Sequence, residues 1–300
     1  MRHGAKKIAA ILTFFLLTSY AFGQSRNNTR STSDLDGTVL TVTAARTGSA
    51  DPIKVENLFL YENGVEQKIK NFAYDPSPAK IVMLIDNSQT LRADVESLKK
   101  ATMEFAYEIF EGDQLFVVAY DEKPEIIQEW TDDAKKMETG LATFRKQGNP
   151  YLFDALSATT KEVLLPLMPG TRKAVIVLIS DGLDRGSKTE FSKALADLQN
   201  YNVTLYSLEI PDRTNGAYRR NSPKAKEVLK QLVEGTGGRS FPFDEPQAAA
   251  KAICDELRNN RYLLSYFPTN TSSYDTRRVF LLGQEGITIR TKNAQPPNIK

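Results

Sequence analysis

The chain has 300 residues, with 39 basic and 37 acidic side chains, one histidine and one cysteine. Charge this balanced leaves no electrostatic footprint for nucleic acid. The only histidine, His3, falls in an N-terminal leader, so Ser-His-Asp triads, Cys-His dyads and histidine-ligated zinc are excluded.

Arg2, Lys6 and Lys7 form a basic start, Ile8 to Leu17 an apolar core, and Ala21-Phe22-Gly23 a small-x-small cleavage site. Residues 1–23 therefore read as a signal peptide, and cleavage near Gly23 leaves a secreted or periplasmic protein. The leader holds three basic residues and no acidic ones, so the remainder carries 36 against 37. No later stretch is long and apolar enough for a membrane span. Cys254, in Cys254-Asp255-Glu256-Leu257, reads as a small buried hydrophobe. With no disulfide, an exported chain is held by core packing alone.

Residues 24–36, rich in Ser, Thr, Asn and Arg, read as a disordered linker. Residues 37–75 form an N-terminal β segment: strands are expected from Thr38 to Ala44 and Val55 to Tyr61. Asn63-Gly64 signals a hairpin, and Val65 to Phe72 is the return strand. Asp75-Pro76-Ser77-Pro78 is a linker.

From 76 to 261 strands alternate with helices. Ile81 to Ile85 is apolar at every position, as in a strand covered on both faces. It runs straight into Asp86, Ser88 and Thr90. A helix is expected over 91–110, short strands at Gln114 to Tyr120 and Glu125 to Trp130, and helices at about 132–146 and 153–165. The pattern then recurs: Ala174 to Ile179 is fully apolar and ends in Ser180-Asp181-Gly182. Helices at about 188–200, 222–234 and 246–260 enclose strands at Val203 to Glu209 and Arg239 to Phe243. Such alternation indicates βαβ units and a parallel sheet. The last segment, 262–300, returns to β and is expected to pack with 37–75 as a small β subdomain.

The fold expected is α/β, a doubly wound, mostly parallel, Rossmann-like sheet. In strand order 3-2-1-4-5-6 the first and fourth strands are neighbours at the switch point, where such sheets bind ligands. Asp86 and Asp181 then face one crevice. Two carboxylates and two hydroxyls suit a hard divalent cation. Ser88 and Thr90 have a simpler reading too, as caps of the helix that follows.

Asp86-x-Ser88-x-Thr90 after an apolar strand, followed by Ile179-Ser180-Asp181-Gly182, resembles the von Willebrand factor type A (VWA) domain. The resemblance continues through Leu152-Phe153-Asp154-Ala155-Leu156 and Thr236-Gly237-Gly238-Arg239. The flanks, Phe59 to Gln67 and Tyr262 to Pro268, are similar to a bacterial subfamily of exported VWA-related proteins. The resemblance implies a metal-ion-dependent adhesion site (MIDAS) that holds Mg²⁺, or Mn²⁺ or Ca²⁺, through Asp86, Ser88, Thr90 and Asp181. A protein partner presenting Asp or Glu would complete the coordination. That family usually adds a loop hydroxyl where this chain has Pro150, so Asn149 is the substitute and Asp154 a further site residue. Without the hydroxyl, the alternative is a metal-free structural or assembly protein. Asp86-x-Ser88-x-Thr90 is also similar to the Asp-x-Asp-x-Thr motif of haloacid-dehalogenase-type phosphohydrolases, but Ser88 stands where the general acid/base carboxylate belongs. The chain is expected not to be an enzyme.

Overall fold

The computed structural model describes residues 37–48, 51–212, 224–269 and 274–297; the leader and the 24–36 linker lie outside them. The first strands are β1 (Thr38–Arg46), β2 (Leu58–Glu62), β3 (Val65–Gln67) and β4 (Ile69–Tyr74). An alternating region follows: β5 (Ala79–Asp86), α1 (Val95–Glu108), β6 (Gln114–Tyr120), β7 (Pro124–Thr131), α2 (Ala134–Leu141), α3 (Leu152–Ala158), β8 (Lys173–Ser180) and α4 (Phe191–Asn200). It continues with β9 (Thr204–Glu209), α5 (Ala225–Thr236), β10 (Ser240–Pro242) and α6 (Pro246–Asn259). The final strands are β11 (Arg261–Tyr266), β12 (Arg277–Gly283), β13 (Ile287–Thr291) and β14 (Ala294–Gln295).

The alternating region forms one six-stranded sheet in the order β10-β9-β8-β5-β6-β7. Counted from β5, this is the doubly wound order 3-2-1-4-5-6. All neighbours are parallel except β7, which runs antiparallel on β6 at the edge. Ile81 to Ile85 of β5 are apolar without a break because helices cover both faces of the strand. Ile81, Met83 and Ile85 pack with Leu98 and Phe105 of α1 and Ile253 of α6. Val82 and Leu84 pack with Leu156 of α3, Leu198 of α4 and Leu232 of α5. Burying such a strand stabilises the domain by roughly 25 cal/mol per Å² of apolar surface removed from water.

Strands from the two ends of the chain share two further sheets, β13-β1-β11-β4 and β14-β12-β2-β3. Leu40, Val42 and Leu264 of the first meet Leu58, Leu60, Val279 and Leu281 of the second in a separate core. The opposite face of the first sheet looks toward the α/β region, where buried Arg261 donates to Thr43 Oγ1 (3.1 Å) and Thr204 Oγ1 (3.0 Å).

Several boundaries differ from the sequence reading. Asn63 and Gly64 both have positive φ (51° and 83°) and close the β2–β3 hairpin. The return strand, however, is two strands: β3 stays with β2, and β4 crosses to the other sheet to pair with β11. Helix α1 begins at Val95, after an eight-residue loop from Asn87 to Asp94, and α2 stops at Leu141. α3 is α-helical only to Ala158; residues 159–164 continue as a π-turn and 165–167 as a 3₁₀ turn. Pro166 has no N–H to donate, which ends the regular ladder there.

Candidate metal-binding site

The C-terminal ends of β5, β6 and β8 lie side by side, and register decides which side chains meet. Asp86 pairs with Tyr120 across β5 and β6. Ile85 pairs with Ile179, which places Ser180 beside Asp86 on the other flank. All three side chains project from the same face as Val82 and Leu84, because side chains alternate along a strand.

Asp86 is fully buried. Its Oδ1 accepts the Ser88 amide (2.8 Å), folding the loop back over the carboxylate. Its Oδ2 faces two hydroxyls, Tyr120 and Ser180, each at 3.4 Å. Tyr120 donates to Ser180 Oγ at 2.9 Å, and Ser180 Oγ in turn accepts the Gly182 amide, also at 2.9 Å. The Ser88 and Thr90 hydroxyls stand 3.2 Å apart. Neither caps a helix, because α1 is capped by Asp94, whose carboxylate accepts the Ser97 amide. That removes the simpler reading of the two hydroxyls.

Asp181 is 3 % exposed and accepts the Leu183 amide through Oδ1 (3.0 Å). Gly182 then turns the chain with φ of +79°, and a Cβ there would meet Ala225 O at 2.5 Å. Only glycine fits this close approach of the loop to α5. Burial pushes the Asp86 carboxyl up to about 7; the Asp181 charge adds to this, while hydrogen bonds from Ser88 and Ser180 oppose it. Burial likewise lifts Asp181 to about 6, the Leu183 amide and the Arg185 charge pulling down and Asp212 pushing up. Tyr120 is held well above its ordinary range by burial and by the Asp86 charge.

The surrounding loops are tied together by main-chain bonds. Gln147 N donates to Asn87 O (2.8 Å), Gln89 N to Gly148 O (3.2 Å) and Arg185 N to Pro150 O (2.8 Å). Asp154 accepts the Lys188 and Thr189 amides (2.9 and 2.8 Å), fastening α3 to the loop after β8. Burial raises its carboxyl, but those amides outweigh burial and hold it below the usual range. Pro150 is buried, and the exposed Asn149 donates its side-chain amide to Glu122 (3.1 Å). Thus Asp86, Ser88, Thr90 and Asp181 stand at the neighbouring ends of β5 and β8. Asn149 and Asp154 are engaged with Glu122 and the 188–189 backbone instead. Tyr120 and Ser180 are the additions. Tyr120 ends an apolar run at the same end of the sheet as Asp86, a signal the sequence did contain.

The donor set suits a hard cation. Two buried carboxylates share the crevice, and among the described residues neither forms an ion pair with Lys or Arg. No three His, Cys, Asp or Glu side chains converge among the described residues. A cation here would rest on two carboxylates, two hydroxyls and water, the oxygen environment that Mg²⁺ prefers.

Residues 81–183, from β5 through the loop after β8, match the von Willebrand factor type A domain family. Over that stretch the chain is similar to a VWA domain. A von Willebrand factor type A structure from Catenulispora acidiphila superposes with a TM-score of 0.51 at 11 % identity, covering 84 % of this chain and 75 % of that one. An aerotolerance-related membrane protein from Bacteroides fragilis superposes with a TM-score of 0.47 at 17 % identity, covering 60 % of this chain and 98 % of that one. No curated protein matches the chain in sequence. The VWA fold is in general that of a protein-interaction module, and no described helix is long and apolar enough to cross a membrane.

Proposed function

We propose that the chain is an exported, non-enzymatic interaction module whose VWA domain captures an acidic side chain of a partner protein through a divalent cation. The reading is supported by the β5 end, with Asp86, Ser88 and Thr90, lying beside the β8 end that leads into Asp181, and by the two hydroxyls being free of any capping duty. Ser88 and Thr90 offer neutral oxygens, and Asp86 and Asp181 hold the charge, directly or through water. Bound there, Mg²⁺ (or Mn²⁺ or Ca²⁺) supplies an open coordination position for a partner's Asp or Glu. Tyr120 and Ser180 orient Asp86 from behind, as outer-shell hydrogen bonds orient metal ligands. The leader motif at 1–23 supports export to the periplasm or beyond.

Calorimetric titration of the purified protein with Mg²⁺ and Mn²⁺ is expected to show one site, lost in Asp86→Ala. Partner capture should disappear in chelator and in the same variant. A second reading keeps the fold without the cation, and one observation favours it: Pro150 brings no side-chain oxygen and Asn149 is bound to Glu122. Absence of binding heat in the unaltered protein, with capture indifferent to chelator, would select that second reading.

A further inference from the structure

Ser88 and Thr90 sit on a loop, and a loop must be held if its hydroxyls are to meet a cation in one place. They belong to the eight residues between β5 and α1. Before them, Asn87 is fixed at three points. Its amide donates to Tyr120 O (3.0 Å), its carbonyl accepts the Gln147 amide (2.8 Å), and its side-chain Nδ2 donates to Arg145 O (2.9 Å). Between the two hydroxyls, Gln89 N donates to Gly148 O (3.2 Å). After them, the half-buried Lys146 donates through Nζ to the carbonyls of Leu91 and Ala93, the latter at 2.9 Å.

Those two carbonyls need a donor from outside their own helix. Leu91 and Ala93 precede Asp94, the N-cap of α1, and the helical ladder begins only at the N-cap carbonyl. Residues 145–148 therefore clasp the hydroxyl-bearing loop on both sides, with the Lys146 ammonium at the far side. A site ordered in advance binds more tightly than one ordered by its ligand, because the ordering entropy is not lost on binding. We propose that Lys146 is a positioning residue for the cation site, holding the Ser88 and Thr90 hydroxyls in place through the Leu91 and Ala93 carbonyls. This deepens the cation reading of the site and rests on it.

The charge of Lys146 acts in the opposite direction. An ammonium beside the loop repels a bound cation, so charge alone predicts that Lys146→Met tightens Mg²⁺ binding. Positioning predicts the reverse, binding about tenfold weaker, the lower end of what outer-shell partners of a metal site contribute. Lys146→Arg keeps the charge and several N–H donors, and is expected to restore most of the affinity. Calorimetric titration of the three proteins with Mg²⁺ reads this directly. Hydrogen exchange of the metal-free proteins reads the loop: amides of residues 87–94 should exchange faster in Lys146→Met, with the β5 amides unchanged. Equal or tighter Mg²⁺ binding in Lys146→Met, beside clear binding by the unaltered protein, overturns the proposal and leaves the cation site standing. Faster exchange throughout β5 as well would mark a general loss of stability and also overturn it. Absence of binding heat in the unaltered protein removes the cation reading, and the proposal with it.

Discussion

Asp86 combines full burial, a carboxyl raised to about 7 and the absence of a basic partner among the described residues. A carboxylate in that state is mostly protonated at pH 6 and mostly ionised at pH 8. A cation binding there must displace the proton at the lower pH. We therefore expect Mg²⁺ affinity to be about tenfold weaker at pH 6 than at pH 8, since one group titrating near 7 contributes a factor of that size. Calorimetry at the two pH values checks this, and equal affinities would remove Asp86 from the ligand set. At this scale the sequence was informative where chemistry is written in residue type: Asp86, Ser88, Thr90 and Asp181 all stand out from apolar surroundings. Tyr120 and Asn149 were less legible. Their roles depend on which neighbour a side chain meets, and register and loop path decide that.

At the scale of elements, the loop between β5 and α1 separates two roles that spacing alone confuses. A hydroxyl just after a strand can cap a helix or bind a ligand. Here eight residues intervene, and Asp94 does the capping. Asp94→Ala is expected to lower stability, as loss of an N-cap does, and to leave Mg²⁺ binding intact. Ser88→Ala should do the reverse, losing metal affinity with little change in the urea midpoint. Chemical denaturation beside calorimetry distinguishes the two patterns. The strands of the doubly wound sheet were legible because burial on both faces demands an unbroken apolar run. Helix ends were not. The start of α1 and the π-turn after α3 depend on which backbone groups find partners, and an apolar period continues past both points.

At the scale of the whole molecule, the C-terminal segment is pinned to the α/β region by buried polar contacts. Lys292, 3 % exposed, donates to Gln199 O (2.7 Å) and to Gln295 Oε1 (2.6 Å). Burial, aided by the Arg277 charge, pushes its amine down to about 7. A folded-state value below the unfolded 10.5 means that the unfolded chain binds more protons between pH 7 and 10.5. Stability contributed by this group therefore rises with pH across that window. Lys292→Met should flatten the rise in unfolding free energy between pH 7 and 10, as read from urea transitions. An unchanged slope would show that the ammonium is solvated in the fold.

The sequence by itself determined the α/β core and the chemistry at its strand ends. Apolar runs, hydroxyls and carboxylates are local properties, and the right hand of each βαβ crossover follows from chain chirality. Tertiary structure alone decided how the flanking strands divide between two sheets. It also decided that Tyr120 and Ser180 stand against Asp86. Each of these depends on pairing between residues far apart in the chain, and hydrogen-bond register, which no single stretch encodes, fixes it.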